Sequence, residues 1–420
     1  MTQETTQETT PEIMRDSIDA ARTQELAQSI KQWGRELGFS DVAICNAIPH
    51  DTAATEAARQ TEERLRDWLD RGFHGTMDYM ARHGMRRARP AELVPGTVSV
   101  ITVRMDYLPE TSIGKGDERD HEDAATNWVD ASWDALHDPL HANLSRYAHG
   151  RDYHKVLRAR LQRLADRIAD SIGPFGHRVF SDSAPVMEVE LAQRAGLGWR
   201  GKHTLLLSRS GGSMFFLGEL FVDLPLPADP AASDHCGRCT RCIEVCPTRA
   251  IVAPHVLDAR RCIAYLTIEL EGPIPEEYRP LIGNRIYGCD DCQLVCPWNK
   301  FARKATLHDF DAKPLAHRTL VEVFAWTEDD FFTHTEGTVI RRIGHERWLR
   351  NVAVALGNAL ASSDASSIGQ EARLAIRASL MSRRDDASAM VREHVAWALA
   401  QDRRPQEQPP HQAEAAVTAA

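Results

Sequence analysis

No run of apolar residues in this 420-residue chain approaches the roughly 20 that a membrane span requires. The start, Met1-Thr-Gln-Glu-Thr, is polar and unlike an export signal. Positive charge is not in excess either. The formal net charge of −10 argues against a generally basic nucleic-acid binder, although a local basic face remains open. Over most of the length cysteine is nearly absent: Cys45, in Val42-Ala-Ile-Cys45, is the single one outside residues 236–297 and reads as a buried strand thiol. These absences set aside membrane insertion and a disulfide framework and point to a reducing cytoplasm. A make-up of 43% hydrophobic and 26% charged residues is that of a globular protein, long enough for two or three domains.

What the chain does have is a dense block of eight cysteines. It opens with Cys236-Gly-Arg-Cys239-Thr-Arg-Cys242-Ile-Glu-Val-Cys246-Pro247 and closes with Cys289-Asp-Asp-Cys292-Gln-Leu-Val-Cys296-Pro297. The opening run has the C-x2-C-x2-C-x3-C-P spacing of bacterial [4Fe–4S] ferredoxins, in which the fourth cysteine serves the other cluster. One cube is therefore assigned Cys236, Cys239, Cys242 and, by reciprocity, Cys296. The other takes Cys246, Cys289 and Cys292. A plain ferredoxin would supply the missing ligand three residues before Cys289, where Ile286 stands, so Cys262 is assigned as the fourth. Structural zinc uses paired cysteines too, but four-ligand zinc sites rarely carry the third cysteine and the Cys-Pro ending.

Elsewhere the pattern is mixed. Helical spacing predicts helices over about 18–37, 56–70, 154–172 and 186–195. Short apolar runs predict strands at 41–45, 98–103, 178–182 and 213–222. Residues 110–139 are acidic and read as an insert or lid. Asp182 ends a strand, and Ser183-Ala-Pro185 reads as the cap and start of the next helix. The loop Gly196-Leu-Gly-Trp-Arg-Gly201 suits either a close approach to something bulky or a tight turn. From Arg341 three apolar stripes recur at helical spacing: Leu349, Val352, Ala353, Leu356 and Leu360; then Leu374, Ala378 and Met381; then Val391, Val395 and Leu399. Paired helices at a repeat of about 40 residues suggest a HEAT-like array. Arginines stud it, either as a solvated cap or as a phosphate-contacting face. The expected fold class is α+β: residues 18–228 an α/β catalytic domain, 229–303 an inserted ferredoxin-like unit and 304–402 the helical region, with tails at 1–17 and 403–420.

Taken together, Gly75-Thr-Met with Arg87-x-x-Pro90, Gly150-Arg-Asp-Tyr-His154, Asp182-Ser-Ala-Pro185, Ala195-Gly-Leu-Gly-Trp-Arg-Gly-Lys202, the cysteine pattern and Arg350-Asn351 with Gly357-Asn358 resemble the epoxyqueuosine reductases. The resemblance covers about residues 20–397. It implies two-electron reduction of the epoxide of epoxyqueuosine at the tRNA wobble position, giving queuosine and water. It also implies cobalamin as a further cofactor, used as cob(I)alamin and fed by the clusters. Asp182 is then the proton donor, and corrin contacts fall at Arg87, Tyr147, Leu206, Leu217, Ala264, Cys289 and Asp290. The family's Cys-Ile-Ser-Tyr-Leu-Thr is Cys262-Ile-Ala-Tyr-Leu-Thr267 here, so Ala264 lacks the hydroxyl. Contacts to the tRNA anticodon arm are expected from Arg347, Arg350 and Arg377, with a low-potential electron donor as a further partner and a monomeric enzyme.

One expectation carries a conflict. A carboxylate at a helix N-terminus is held ionised, whereas an acid at neutral pH needs a raised pKa. A water-poor pocket around Asp182, against an apolar corrin face, would resolve it; the plainer role is a helix cap. Three rivals share the clusters, one of them a tRNA-binding scaffold in which they are only structural and would be silent to redox titration. A reductive dehalogenase would be expected to carry an export signal and no arginine-rich tail. A non-catalytic electron carrier has no need of some 200 residues of α/β domain.

Overall fold

The computed structural model describes residues 20–109, 124–362 and 368–402. The expected tails and residues 110–123 of the acidic insert fall outside them. The catalytic half is organised on a four-stranded sheet built from β1 (Asp41–Asn46), β2 (Ser99–Asp106), β3 (His177–Phe180) and β4 (Phe215–Val222). The spatial order is β1-β2-β4-β3, and every pairing is antiparallel, which gives an α+β rather than a doubly wound arrangement. Both faces are covered, so the strands read as nearly continuous apolar runs: all eight residues of β2 are buried.

Side chains alternate across this sheet. Val42, Ile44, Ile101, Val103, Phe216 and Leu220 face the larger core. That face is covered by helix α1 (Ala20–Glu36) and by the later helix α4 (Tyr153–Ile172), whose stripe Leu157, Leu161, Leu164 and Ile168 is fully buried. Between them lie α2 (Thr52–Asp70), started by Asp51 accepting from the Ala54 N–H, and α3 (Ala124–His137), the described part of the acidic insert. Cys45, Val100, Phe180 and Phe221 point the other way, into a smaller core closed by α5 (Glu188–Arg194). Cys45 is buried, and burial pushes its thiol up to about 11.

The larger core does not stop at the catalytic half. It runs from Leu26 through Ile263 and Tyr287 of the cysteine segment to Ala398, so the three expected units share one apolar interior. The C-terminal region begins with α6 (Leu320–Ala325) and α7 (Glu328–His334), each opened by a capping box, from Thr319 with Glu322 and from Thr327 with Asp330. Helix α8 (Gly344–Ala361) is the hub, with Leu349, Val352, Leu356 and Leu360 buried. It packs tightly on α10 (Ala389–Gln401), and Gly357 permits this: a Cβ there would meet the Trp397 ring at 2.6 Å. Between them, α9 (Gln370–Ser382) corrects an expectation. Leu374 and Met381 are 59% and 47% exposed, and the buried pair is Ile376 and Leu380. Those two lie one turn apart and set more apolar bulk against the hub than a stripe centred on Ala378 would. Among the described residues no helix is long and apolar enough to cross a membrane.

Candidate active site

The strand β3 ends at Phe180, which pairs with Glu219 of β4. Two residues on, the chain turns through Asp182 with a φ of 51°, a left-handed conformation uncommon outside glycine. The next helix does not start until Glu188, and its N-cap is Met187. Asp182 is therefore not a helix cap. Its backbone N–H donates instead to Glu188 Oε1 at 2.6 Å, while its carboxyl turns toward α4.

There Asp182 Oδ2 accepts from the Tyr153 hydroxyl and lies 3.2 Å from His154 Nε2. The other ring nitrogen of His154 meets Asp152 Oδ1 at 2.9 Å. Burial pulls the imidazole down, but the hydrogen bonds to Asp152 and Asp182 outweigh it and raise it to about 9. Burial pushes the Asp182 carboxyl up, yet the bonds from His154 and Tyr153 hold it below the usual carboxylate range. The expected raised carboxyl is thus corrected: the side chain of Asp182 is half exposed and ionised, and the proton of the pair sits on His154. Tyr153 is fixed by stacking on Phe216, with ring centroids 4.1 Å apart.

These groups edge a cavity of about 320 Å³. Its lining brings together Asp182 and five of the expected corrin contacts, Tyr147, Leu206, Leu217, Ala264 and Cys289. The other two lie elsewhere. Asp290 is buried, accepts from the Ser145 hydroxyl and the Arg146 N–H, and lines a second cavity of about 460 Å³ beyond the Ser145–Tyr147 segment. Arg87 is buried behind the Tyr79–Met80 turn, where it donates to both backbone carbonyls.

The cysteines fall into two groups. Cys236, Cys239, Cys242 and Cys296 line one small cavity of about 30 Å³, which Lys202 and Trp298 also edge. Cys239 is exposed there. The Cys292 thiol is pushed well above its ordinary value by burial and by Cys262 and Cys246 beside it. Cys289 is pushed up by burial and by neighbours that include Cys292. Burial pushes up the thiols of Cys262, Cys289 and Cys292, whereas the first group includes the exposed Cys239, so the second group is the deeper one; it shares Cys289 with the catalytic cavity.

A relative from Alicycliphilus denitrificans, named epoxyqueuosine reductase, is 60% identical over 90% of this chain and 98% of its own. The chain belongs to the epoxyqueuosine reductase family. The enzyme of that name from Escherichia coli K12 is 52% identical, over 90% of this chain and 89% of its own. The family model described as "Epoxyqueuosine reductase QueG, DUF1730" matches residues 87–183. A second, "4Fe-4S double cluster binding domain", matches residues 235–299 and covers all eight clustered cysteines. A solved epoxyqueuosine reductase structure with an epoxyqueuosine-modified tRNA-Tyr stem loop shares the fold, with a TM-score of 0.71 and 22% identity over 90% of this chain and 99% of that one.

Several family motifs hold the site without touching it. Gly75 has a φ of +59°, and a Cβ there would stand 2.5 Å from the Tyr265 hydroxyl, which accepts from the Thr76 N–H at 2.9 Å. Arg350 is fully buried and donates to the carbonyls of Leu266, Leu270 and Gly272 at 2.8, 2.7 and 2.6 Å. Asn351 donates to the carbonyls of Thr267 and Ile286 at 2.8 and 2.9 Å. Together they tie down the segments that carry Cys262 and Cys289. The expected phosphate contact from Arg350 is therefore corrected, because its guanidinium is sealed in the interior. Arg347 donates to the carbonyls of Ile343, Ile268 and Arg342, and Arg377 is paired with Asp402. The arginine of this region that acts on Asp182 is Arg342, which is ion-paired with Glu269.

Sequence reasoning missed Tyr153, His154, Glu188 and Glu219 as members of the site. The first two lie inside a quoted family motif. Glu219 had a signal of its own: a lone carboxyl in the apolar run Met214-Phe-Phe-Leu-Gly-Glu-Leu-Phe-Val222.

Proposed function

We propose that this chain reduces epoxyqueuosine to queuosine at the tRNA wobble position. One observation carries the reading: a single cavity gathers Asp182, the apolar side chains of Leu206, Leu217 and Ala264, and the cluster ligand Cys289. The residues present fit cobalamin, since the apolar side chains suit the face of a large ring and polar groups stand at the edge. When bound, cobalamin supplies the low-potential centre that delivers two electrons to the epoxide.

The chain's own residues do the rest. Cys236, Cys239, Cys242 and Cys296 hold the cluster nearer the surface, where an external low-potential donor has access. Cys246, Cys262, Cys289 and Cys292 hold the deeper one beside the cavity. Opening the epoxide puts negative charge on its oxygen. The Asp182–His154 pair, which keeps a proton at neutral pH, is placed to deliver that proton through Asp182. The Tyr153 hydroxyl fixes the carboxyl's direction. The relative with an epoxyqueuosine-modified stem loop supports a tRNA substrate, and the C-terminal helices, HEAT-like in our reading, serve chiefly to brace the deeper cluster.

Asp182→Asn tests this. Anaerobically purified variant should keep both clusters and its cobalamin, and its turnover of epoxyqueuosine-containing tRNA should fall roughly 100-fold or more. Near-wild-type turnover would remove Asp182 as the donor.

A further inference from the structure

Behind Asp182 lies a second carboxyl that the reading above does not use. Glu219 sits in the middle of β4, fully buried; neither of its side-chain oxygens meets an N–H or hydroxyl donor, and the group within hydrogen-bonding reach is the Glu188 carboxyl. Its cross-strand neighbours are Thr102, whose hydroxyl is without a partner, and Phe180. An ionised carboxylate in such a place would lack both water and counter-charge. On the cavity side stands Glu188, which lines the cavity and receives the Asp182 backbone N–H.

We propose that Glu188 and Glu219 form a carboxyl pair that stores a proton behind the cavity wall and reloads Asp182 during turnover. The proposal rests on the reductase reading. In that reaction both carbon–oxygen bonds of the epoxide break, a carbon–carbon double bond forms, and the oxygen leaves as water. Two electrons come from the enzyme's redox centres and two protons go to the oxygen. The Asp182–His154 pair accounts for one. The second needs a further donor, and Glu188 shares the cavity with Asp182. After delivery, the carboxylate left in the pair accepts a hydrogen bond from the carboxyl still protonated, which makes single ionisation tolerable.

The surrounding charges favour a loaded pair. Around Glu188 are Asp182, Glu219 and the imidazole of His154; around Glu219 are Glu188, Cys45 and Asp182. Arg342 acts on Asp182 from the C-terminal region. Burial and then the Asp182 charge push Glu188 up to about 8, and burial with Glu188 beside it pushes Glu219 well above its ordinary value. Both carboxyls therefore hold protons at neutral pH. Glu188 and Glu219 are positioning residues in this scheme, acting on the substrate through Asp182.

The test uses the holoenzyme and an epoxyqueuosine-containing stem loop. Glu188→Gln keeps an oxygen to accept the Asp182 N–H but cannot release a proton. Its kcat should fall roughly 10- to 100-fold with KM within about twofold, and the loss of activity centred near pH 8 should disappear from its profile. Glu188→Asp should recover part of the rate. Infrared difference spectra of wild type should show a protonated carboxyl at neutral pH that is lost in Glu219→Gln. Wild-type kcat and pH profile in Glu188→Gln would overturn the proposal, and so would a wild-type spectrum with no protonated carboxyl. If the variants lose their clusters, titration of the wild-type carboxyl band decides alone: a midpoint well above the ordinary carboxylate range supports the pair, and one within that range overturns it. Absence of wild-type turnover would instead strike the reductase reading, because the carboxyl band does not depend on substrate.

Discussion

Replacing Arg350 with alanine separates a brace from an RNA contact. Three backbone carbonyls, of Leu266, Leu270 and Gly272, would lose their donor, and the Asn351 side-chain oxygen would lose two more bonds from the same guanidinium. A hydrogen bond to a charged group contributes about 1.5–3 kcal/mol, and removing one partner of a buried polar arrangement costs about 3–5 kcal/mol in all. The deleted charge no longer has to be desolvated, which keeps the expected loss near the lower end, at about 3–4 kcal/mol. That is a large share of the roughly 5–15 kcal/mol that holds a domain together. It should fall on the deeper cluster, because Leu266 lies four residues from Cys262 and the neighbouring Asn351 anchors Ile286, three before Cys289. The assay is anaerobic denaturation followed by cluster absorbance, with iron counted per chain. Arg350→Ala should lose cluster absorbance at clearly lower denaturant, with its iron content falling toward that of a single cluster. Arg350→Lys, which keeps the charge but cannot reach three carbonyls, should lie between. An unchanged midpoint and full iron, joined to weaker tRNA binding with a flatter salt dependence, would refute the reasoning and put Arg350 on a phosphate.

His154 gives a pH signature. Its folded value of about 9 exceeds the ordinary 6.5, so its proton stabilises the fold fully below about pH 6.5, and that contribution fades as pH rises through 9. His154→Gln should therefore cost roughly 2–3 kcal/mol in denaturation at pH 6 and much less at about pH 9.5; equal loss at both would show that the imidazole is held for its shape. Cys262→Ser should remove one cluster's iron and leave the other's electron paramagnetic resonance signal intact, whereas retention of both clusters would mean that the deeper cube takes its fourth ligand elsewhere.

Strands were easy to read because burial on both faces writes itself as continuous apolar runs, as in Val100-Ile-Thr-Val103. The cysteine block was readable because cluster ligation imposes spacing along the chain rather than across it. Asp182 stood out as a strand-ending carboxylate, but the helix after it was placed too early: Ser183-Ala-Pro185 carries the residues of a helix start, and yet the helix opens only at Glu188. The Tyr153–His154–Asp182 arrangement was out of reach because it exists only once α4 lies beside the turn after β3. Arginine is ambiguous by nature. A guanidinium that grips phosphate and one that grips three carbonyls are the same letter, and nothing in Trp348-Leu-Arg-Asn351 distinguishes them until the surrounding segments close over it.

The clamp made by Arg350 and Asn351 has a further consequence for how the protein is made. All eight cluster cysteines leave the ribosome before the residues that fix two of their segments. The chain can thus display a full ligand set while the Cys262 and Cys289 arms are still unanchored, and because the Cys289 arm also carries Cys296, both ligand sets feel that anchoring. The arms that carry Cys262, Cys289 and Cys296 are fixed from α8, a helix made only after all of them.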